Sequence, residues 1–411
     1  MSCYKVQRCQ KLNNVALMRG AIPVFVILLV FYSLSLKSQV WRPCYITGQP
    51  VPLKNIGDEV QLRSDKLIIP VVFHVVLPEG VQGPSEIKIN SQMDALNDNF
   101  HRAQSIHLIP SEFRSQLGFP NIEFCLASTT PEGSPTNGIT RSTTDIPNIG
   151  QHIFSDGRQS VHYTILGGKD AWDTDKYLNI WIAEINAFAA RSSFPDQGPP
   201  DEQGIVIDPD FVGKSPGNAR RFSEGRTLVH EVGHFLNLQH PWLNAGCNED
   251  DGLKDTPVQD GPYFGCVSPT RARSCGSLDM VQNFMQFGDD PCLLYFTQEQ
   301  AQMMRTILQT VRQGLVENAE TQCKGSSEPN LASIRVRYDA SRYRIFISGL
   351  EREASYHIQT YNIGGQLTHE FTISQRYTAD IQARFMPNGI YVVSIKGPSG
   401  TAQHKIAVFR P

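Results

Sequence analysis

The stretch His230-Glu231-Val232-Gly233-His234-Phe235-Leu236-Asn237-Leu238-Gln239-His240 constrains this chain more than any other. Residues four apart lie on one face of a helix, so His230 and His234 aim two imidazoles at a common point, with Glu231 beside them. His240 is too far along to share that face. For a third imidazole to join, the helix must stop and the chain must turn back. Three neutral imidazoles suit zinc, which takes nitrogen donors and keeps a fourth position for water in catalytic sites. Zinc lowers the pKa of such a water, and a neighbouring carboxylate takes its proton. Glu231 is the acid best placed for that. The plain alternative is a surface helix carrying two histidines and a glutamate. Its flanks argue otherwise: Leu228, Val229, Val232, Phe235, Leu236 and Leu238 are apolar, which predicts a buried helix. Buried histidines without partners are costly, and three of the chain's 11 histidines fall here.

The spacing matches the extended signature His-Glu-x-x-His-x-x-Gly-x-x-His, with Asn237 where the signature has glycine. That position needs a positive φ, and asparagine is the next most tolerant residue. With Gly246-Cys247, Asp250-Asp251, Asp255-Thr256-Pro257, Gly265-Cys266, Ser274-Cys275-Gly276-Ser277 and Asn283-Phe284-Met285 following, the chain resembles the pappalysin family of metzincin metalloproteases. Upstream, Ile69 to Val76, Ala95 to Phe100 and Lys176 to Trp181 are similar to family segments. The likeness spans roughly residues 67 to 315.

The resemblance implies an α+β fold: a metzincin-type catalytic domain with a mixed twisted sheet, a zinc helix and an irregular C-terminal subdomain. It implies a zinc endopeptidase acting on protein or peptide, with His230, His234 and His240 as zinc ligands and Glu231 as general base. It makes Met285 the methionine of the turn beneath the zinc, an apolar floor; from the residues alone Met285 is an ordinary core methionine. The family usually has tyrosine two residues after that methionine, and here it is Phe287. Phenylalanine has no hydroxyl to hydrogen-bond the reacting oxygen, so lower activity than in a tyrosine-bearing relative is expected. Phe287 and Asn237 also favour the rival reading, a zinc-containing secreted or surface binding protein with weak or no turnover.

The N-terminus reads as a targeting segment. Lys5, Arg8, Lys11 and Arg19 precede the apolar run Ala21 to Tyr32. That run suits a signal peptide over residues 1–39 better than a membrane span, which needs about twenty residues. The chain is therefore expected to be secreted or at the cell surface, with no stable membrane span. If the run stayed uncleaved, the chain would be a surface protein anchored by it. A net charge of −3 with no basic cluster argues against nucleic acid.

Residues 40–66 read as a pro-segment that precedes the catalytic domain, 67–323. Cys44 stands in it. A thiolate ahead of a zinc domain can take the open coordination site and keep an enzyme latent, as a cysteine switch does in some family zymogens. A stray cysteine or a lipid-attachment site is the rival reading, although the residues before Cys44 do not look like a lipobox, and Arg63-Ser64 is the candidate cut. Cys247, Cys266, Cys275 and Cys292 crowd the loop-rich stretch after the helix, which in an exported chain reads as a disulfide framework; a second zinc site is the rival reading, though no C-x-x-C pair occurs. Four cysteines allow three connectivities; the family resemblance favours Cys247–Cys275 and Cys266–Cys292. Cys125 reads as a quiet structural residue, and Cys323 has no assigned partner. Asp251, Asp255 and Thr256 lie in the same region, and the resemblance implies calcium near them; a solvated acidic loop fits the residues as well.

Leu67 to Val76 predicts a buried strand, and a helix is expected after Ser85 with Ile89, Met93, Leu96 and Phe100 on one stripe. Tyr177 to Ile182 alternates, and the zinc helix is expected over about 223–236. Thr297 to Gln300 forms a capping box that opens a helix with Met304, Ile307, Leu308 and Val311 on its apolar face. A linker at 324–330 leads to period-two patterning over 331–411, which predicts a small all-β sandwich. The end of the chain, Met386 to Val393 and Lys405 to Val408, resembles the sorting domain of the type IX secretion system, so that machinery is an expected partner. A substrate-binding β-module is the rival reading.

Overall fold

The computed structural model describes residues 44–47, 50–51, 65–214, 221–323, 334–340, 343–351, 354–398 and 400–409. The expected signal peptide, most of the pro-segment with its Arg63-Ser64 cut, and the linker at 324–330 lie outside these residues. Among the described residues no helix is long and apolar enough to cross a membrane.

A mixed sheet organises the first part of the chain. Its strands are β1 (Cys44–Thr47), β2 (Leu67–Leu77), β3 (Ile122–Leu126), β4 (Ile139–Thr143), β5 (Leu178–Ala183), β6 (Ala190–Ser193) and β7 (Ile205–Ile207). They lie in the order β1-β6-β7-β5-β2-β3, and β4 also pairs with β2. Every pair is parallel except β6 with β7. Central parallel strands are covered on both faces, which is why β2 reads as an unbroken apolar run. The alternation in Tyr177 to Ile182 suggested one buried face for β5. The structure buries both: Leu178, Ile180 and Ile182 enter the main core, while Trp181 and Ala183 enter a second apolar cluster with Val76, Val161 and Val206. Asn179 is tolerated there because its carboxamide oxygen accepts the Trp172 N–H at 2.7 Å and lies 2.9 Å from His74 Nε2.

Helix α1 (Glu86–His101) is capped by Ser85, whose hydroxyl accepts the Lys88 N–H, and its stripe Ile89, Met93, Leu96 and Phe100 is fully buried. Helix α2 (Arg226–Phe235) carries the first two histidines. Helix α3 (Gln298–Gln309) opens with the expected capping box: Thr297 Oγ1 accepts from Gln300 N, and Gln300 Oε1 accepts from Thr297 N at 3.0 Å. It ends at Gln309, before Val311, which is half-buried. All three helices pack onto one core with the sheet.

Cys125 and Cys323 form a disulfide that ties β3 to the end of this unit across 198 residues of sequence. Neither was assigned a partner from the sequence, because no local pattern reports so distant a contact.

The C-terminal part is a sandwich. Strands β8 (Arg335–Asp339), β9 (Arg344–Ser348) and β12 (Thr378–Gln382) form one sheet in the order β8-β9-β12; β10 (Ser355–Asn362), β11 (Leu367–Ser374), β13 (Gly389–Gly397) and β14 (Gly400–Val408) form the other in the order β11-β10-β13-β14. Ile345, Ile347, Ile358, Val393 and Ile395 fill the space between them. The sandwich touches α1: the buried Asp94 carboxylate accepts from Tyr377 N at 3.1 Å and from the Thr378 hydroxyl, and Arg376 pairs with Asp98 at 2.7 Å.

Candidate active site

Helix α2 begins at Arg226, three residues later than the sequence suggested. Gly225 precedes it with φ 72°, and no side chain of its own caps the helix. The cap comes from far along the chain. The fully buried Asp290 carboxylate accepts the N–H groups of Glu224 (2.9 Å) and Arg226 (3.1 Å), which satisfies donors that a helix start leaves open.

The other end closes as a Schellman turn. Leu238 N donates to Gly233 O at 2.9 Å, and Asn237 N donates to His234 O at 2.8 Å. Asn237 holds φ 75°, the left-handed conformation the signature requires. The turn sends the chain back and brings His240 to the other two histidines.

The three Nε2 atoms form a tight triangle: 3.0 Å from His234 to His230, 3.1 Å from His234 to His240 and 3.2 Å from His240 to His230. His230 Nδ1 donates to Phe284 O at 2.8 Å and His234 Nδ1 to Leu238 O at 2.7 Å. A carbonyl only accepts, so each Nδ1 carries the proton and each Nε2 presents its lone pair. Burial pushes the His234 pKa down to about 4 and that of His240 well below its ordinary value. Neutral imidazoles whose lone pairs converge repel unless a cation stands between them. Bonds of about 2 Å to a tetrahedral zinc set ligand nitrogens about 3.3 Å apart, so the donor set fits that ion.

Cys44 completes the cluster. Its Sγ lies 3.7 Å from His240 Nε2, and ligand atoms of Cys44, His230, His234 and His240 all lie within 4.8 Å of one another. Strand β1 delivers the thiol by pairing in parallel with β6, Cys44 opposite Ala190. Burial, and then the neighbouring Glu231 carboxylate, push this thiol well above its ordinary pKa; a divalent cation would reverse that. The buried Glu231 lines one small cavity with Cys44, Ala189, Thr227, His230 and Phe287.

Met285 is fully buried with its sulfur directly against Gly233 of α2. The Phe287 ring lies 4.9 Å from that of His240 and 5.0 Å from that of Trp242, and Trp242 stacks on His240 at 4.5 Å. The site wall is thus aromatic and offers no hydroxyl at residue 287.

Disulfides Cys247–Cys275 and Cys266–Cys292 staple the irregular stretch behind the site. Asp251 is buried there, with Oδ1 accepting from the Thr256 hydroxyl (2.5 Å) and Leu253 N (3.1 Å), while Oδ2 has no hydrogen-bond partner. Asp255 points elsewhere: its carboxylate accepts from the Thr297 hydroxyl at 2.7 Å and Glu299 N at 2.8 Å, at the start of α3.

Residues 166–309 match the family model described as pregnancy-associated plasma protein-A, peptidase M43. Mature mirolysin of Tannerella forsythia, solved with a cleaved peptide, is 35% identical with a TM-score of 0.59. The match covers 64% of this chain and 100% of that one. The chain belongs to the pappalysin family of metallopeptidases. Another pappalysin structure, a promirolysin mutant from the same organism, is 34% identical with a TM-score of 0.58, over 64% of this chain and 88% of that one. An extracellular metalloprotease of Arthroderma benhamiae is 38% identical over 130 residues, 29% of this chain and 43% of that protein. One of Arthroderma otae is 36% identical over 144 residues, 33% of this chain and 53% of that protein. The chain thus spans about half the length of these curated relatives. Membership in the family implies zinc.

Two features of this pappalysin site escaped the sequence reading. One is β6, the strand beside the cluster, which is short and carries Arg191, Ser192 and Ser193 although all are buried. The other is Arg312, whose guanidinium stacks 3.6 Å from the Phe235 ring. It donates to Phe235 O at 3.1 Å and to Gln203 Oε1 at 2.7 Å, so it ties the end of α2 to the segment after β6. Its position just beyond a predicted apolar helix face was the available signal.

Proposed function

We propose that this chain is a secreted zinc endopeptidase kept latent by its own residues 40–66. The convergence of three histidine Nε2 atoms, with Glu231 alongside and a cysteine thiol filling the remaining side, carries the reading. Zinc, when bound, supplies Lewis acidity toward the scissile carbonyl and the attacking water. His230, His234 and His240 would hold it. Glu231 accepts the proton of that water and returns it to the leaving amine. The edge of β6 binds an extended peptide as an added strand; here β1 takes that edge. Cys44 acts as the switch, in keeping with a relative solved in both pro and mature forms. Cutting near Arg63-Ser64 releases it.

Three finer parts of the reading go with this. The Asp251–Thr256 loop binds calcium, supported by the unpartnered buried Oδ2 of Asp251. The sandwich serves as a type IX sorting domain, supported by its two-sheet form. Secretion is supported by relatives named extracellular metalloproteases. One observation favours a binding protein with weak turnover, the missing hydroxyl at Phe287.

The test is cleavage of casein by the chain before and after trimming near Arg63, with Glu231→Ala as control. Chelator-sensitive activity only in the trimmed wild type supports enzyme and latency together. A folded, zinc-loaded, trimmed protein without activity would leave the binding reading in place.

A further inference from the structure

The departure at Asn237 has a use that glycine could not serve. Val51 N donates to Asn237 Oδ1 at 2.8 Å, and Asn237 Nδ2 donates to Val51 O at 3.0 Å. The carboxamide thus pairs with the Val51 main chain as one peptide group pairs with another in a sheet. Asn237 is buried, and its Nδ2 also lies 3.6 Å from Met303 Sδ, which fixes the amide's orientation. The half-buried Val51 packs its side chain against the main core.

Val51 stands between Pro50 and Pro52. Proline has no N–H, so Val51 supplies the single main-chain donor of the triplet, and Asn237 takes it. A glycine at 237 would keep the turn and offer neither bond.

We infer that Asn237 is a docking site for the Val51 main chain and a second latch on residues 40–66, independent of Cys44. The inference rests on reading 40–66 as a removable segment. It makes position 237 a regulatory contact in this chain, and the ligand is the main-chain N–H and C=O of Val51, a segment of the same chain.

The experiment uses the full chain. Amide exchange over residues 44–47 is followed by mass spectrometry in wild type, Asn237→Gly, Val51→Pro and the double variant, together with the rate at which added trypsin cuts within 52–64. Asn237→Gly removes both hydrogen bonds and Val51→Pro removes the one that its N–H donates, so exchange and cutting should be about ten-fold faster or more in Asn237→Gly, faster by a smaller factor in Val51→Pro, and no faster in the double variant than in Asn237→Gly. Exchange of peptides from α1 and β2 reports whether each variant is folded. Val51→Pro alters only the segment, so it carries the test if Asn237→Gly misfolds. Unchanged exchange in the single variants overturns the latch. If exchange rises as expected but the cut chain, with trypsin inhibited, cleaves no casein, the latch stands and the latency reading fails. If cleavage appears on cutting while exchange ignores Asn237, latency stands and the latch fails.

Discussion

The sulfur of Met285 sits directly beneath the α carbon of Gly233, with no room for a methyl group between them. The turn methionine and the middle of the histidine helix therefore pack as one surface, and Asn283 anchors that turn by accepting Met285 N at 2.9 Å and exchanging hydrogen bonds with Gln300. Gly233→Ala should cost about 1–3 kcal/mol through overpacking. Met285→Ala in the same chain should return part of that loss. Urea denaturation of the three variants measures it; a Gly233→Ala protein as stable as wild type would show that the contact is slack.

Asp290→Ala should loosen the start of α2. It removes the acceptor for Glu224 N and Arg226 N, a loss of about 1–3 kcal/mol for buried donors left open. Because His230 lies one turn further on, zinc affinity measured by chelator competition should fall as well. Equal stability and affinity in variant and wild type would remove Asp290 from the support of the site.

Burial raises the Asp251 pKa from the ordinary 3.8 to about 7. The folded chain then holds a proton between about pH 4 and pH 7 that the unfolded chain releases, so in the absence of a cation stability falls as pH rises through that window. Asp251→Asn should flatten this dependence, and calcium should raise the melting temperature of the wild type at pH 7.5 much more than at pH 5. Identical pH profiles for wild type and Asp251→Asn would count against it, and indifference to calcium would count against a site in the loop.

Phe287→Tyr should raise kcat on a peptide substrate by roughly ten-fold with little change in KM, since a hydroxyl there can bond the reacting oxygen in the transition state. The ring already stands 4.9 Å from His240, so the change adds one oxygen to an existing wall. A rate that stays level or drops would mean that the chain does not use this position.

The helix carrying His230 and His234, the turn at Asn237, the stripe of α1, the capping box at Thr297 and the β-patterned C-terminus were all legible in the sequence. Each is a local matter of periodicity or of a backbone conformation that few residues tolerate. Tertiary structure alone decided the rest. Asp290 reaches Arg226 across 64 residues and Cys125 reaches Cys323 across 198. β5 proved buried on both faces because a second apolar cluster around Trp181 and Ala183 covers the side opposite Leu178, Ile180 and Ile182. Asn237 and Val51, 186 residues apart, look like a blemish in a motif and a residue between two prolines until folding sets one against the other. Sequence periodicity reports which face of an element is apolar; which distant donor meets which acceptor depends on how whole elements pack, and no local pattern encodes that.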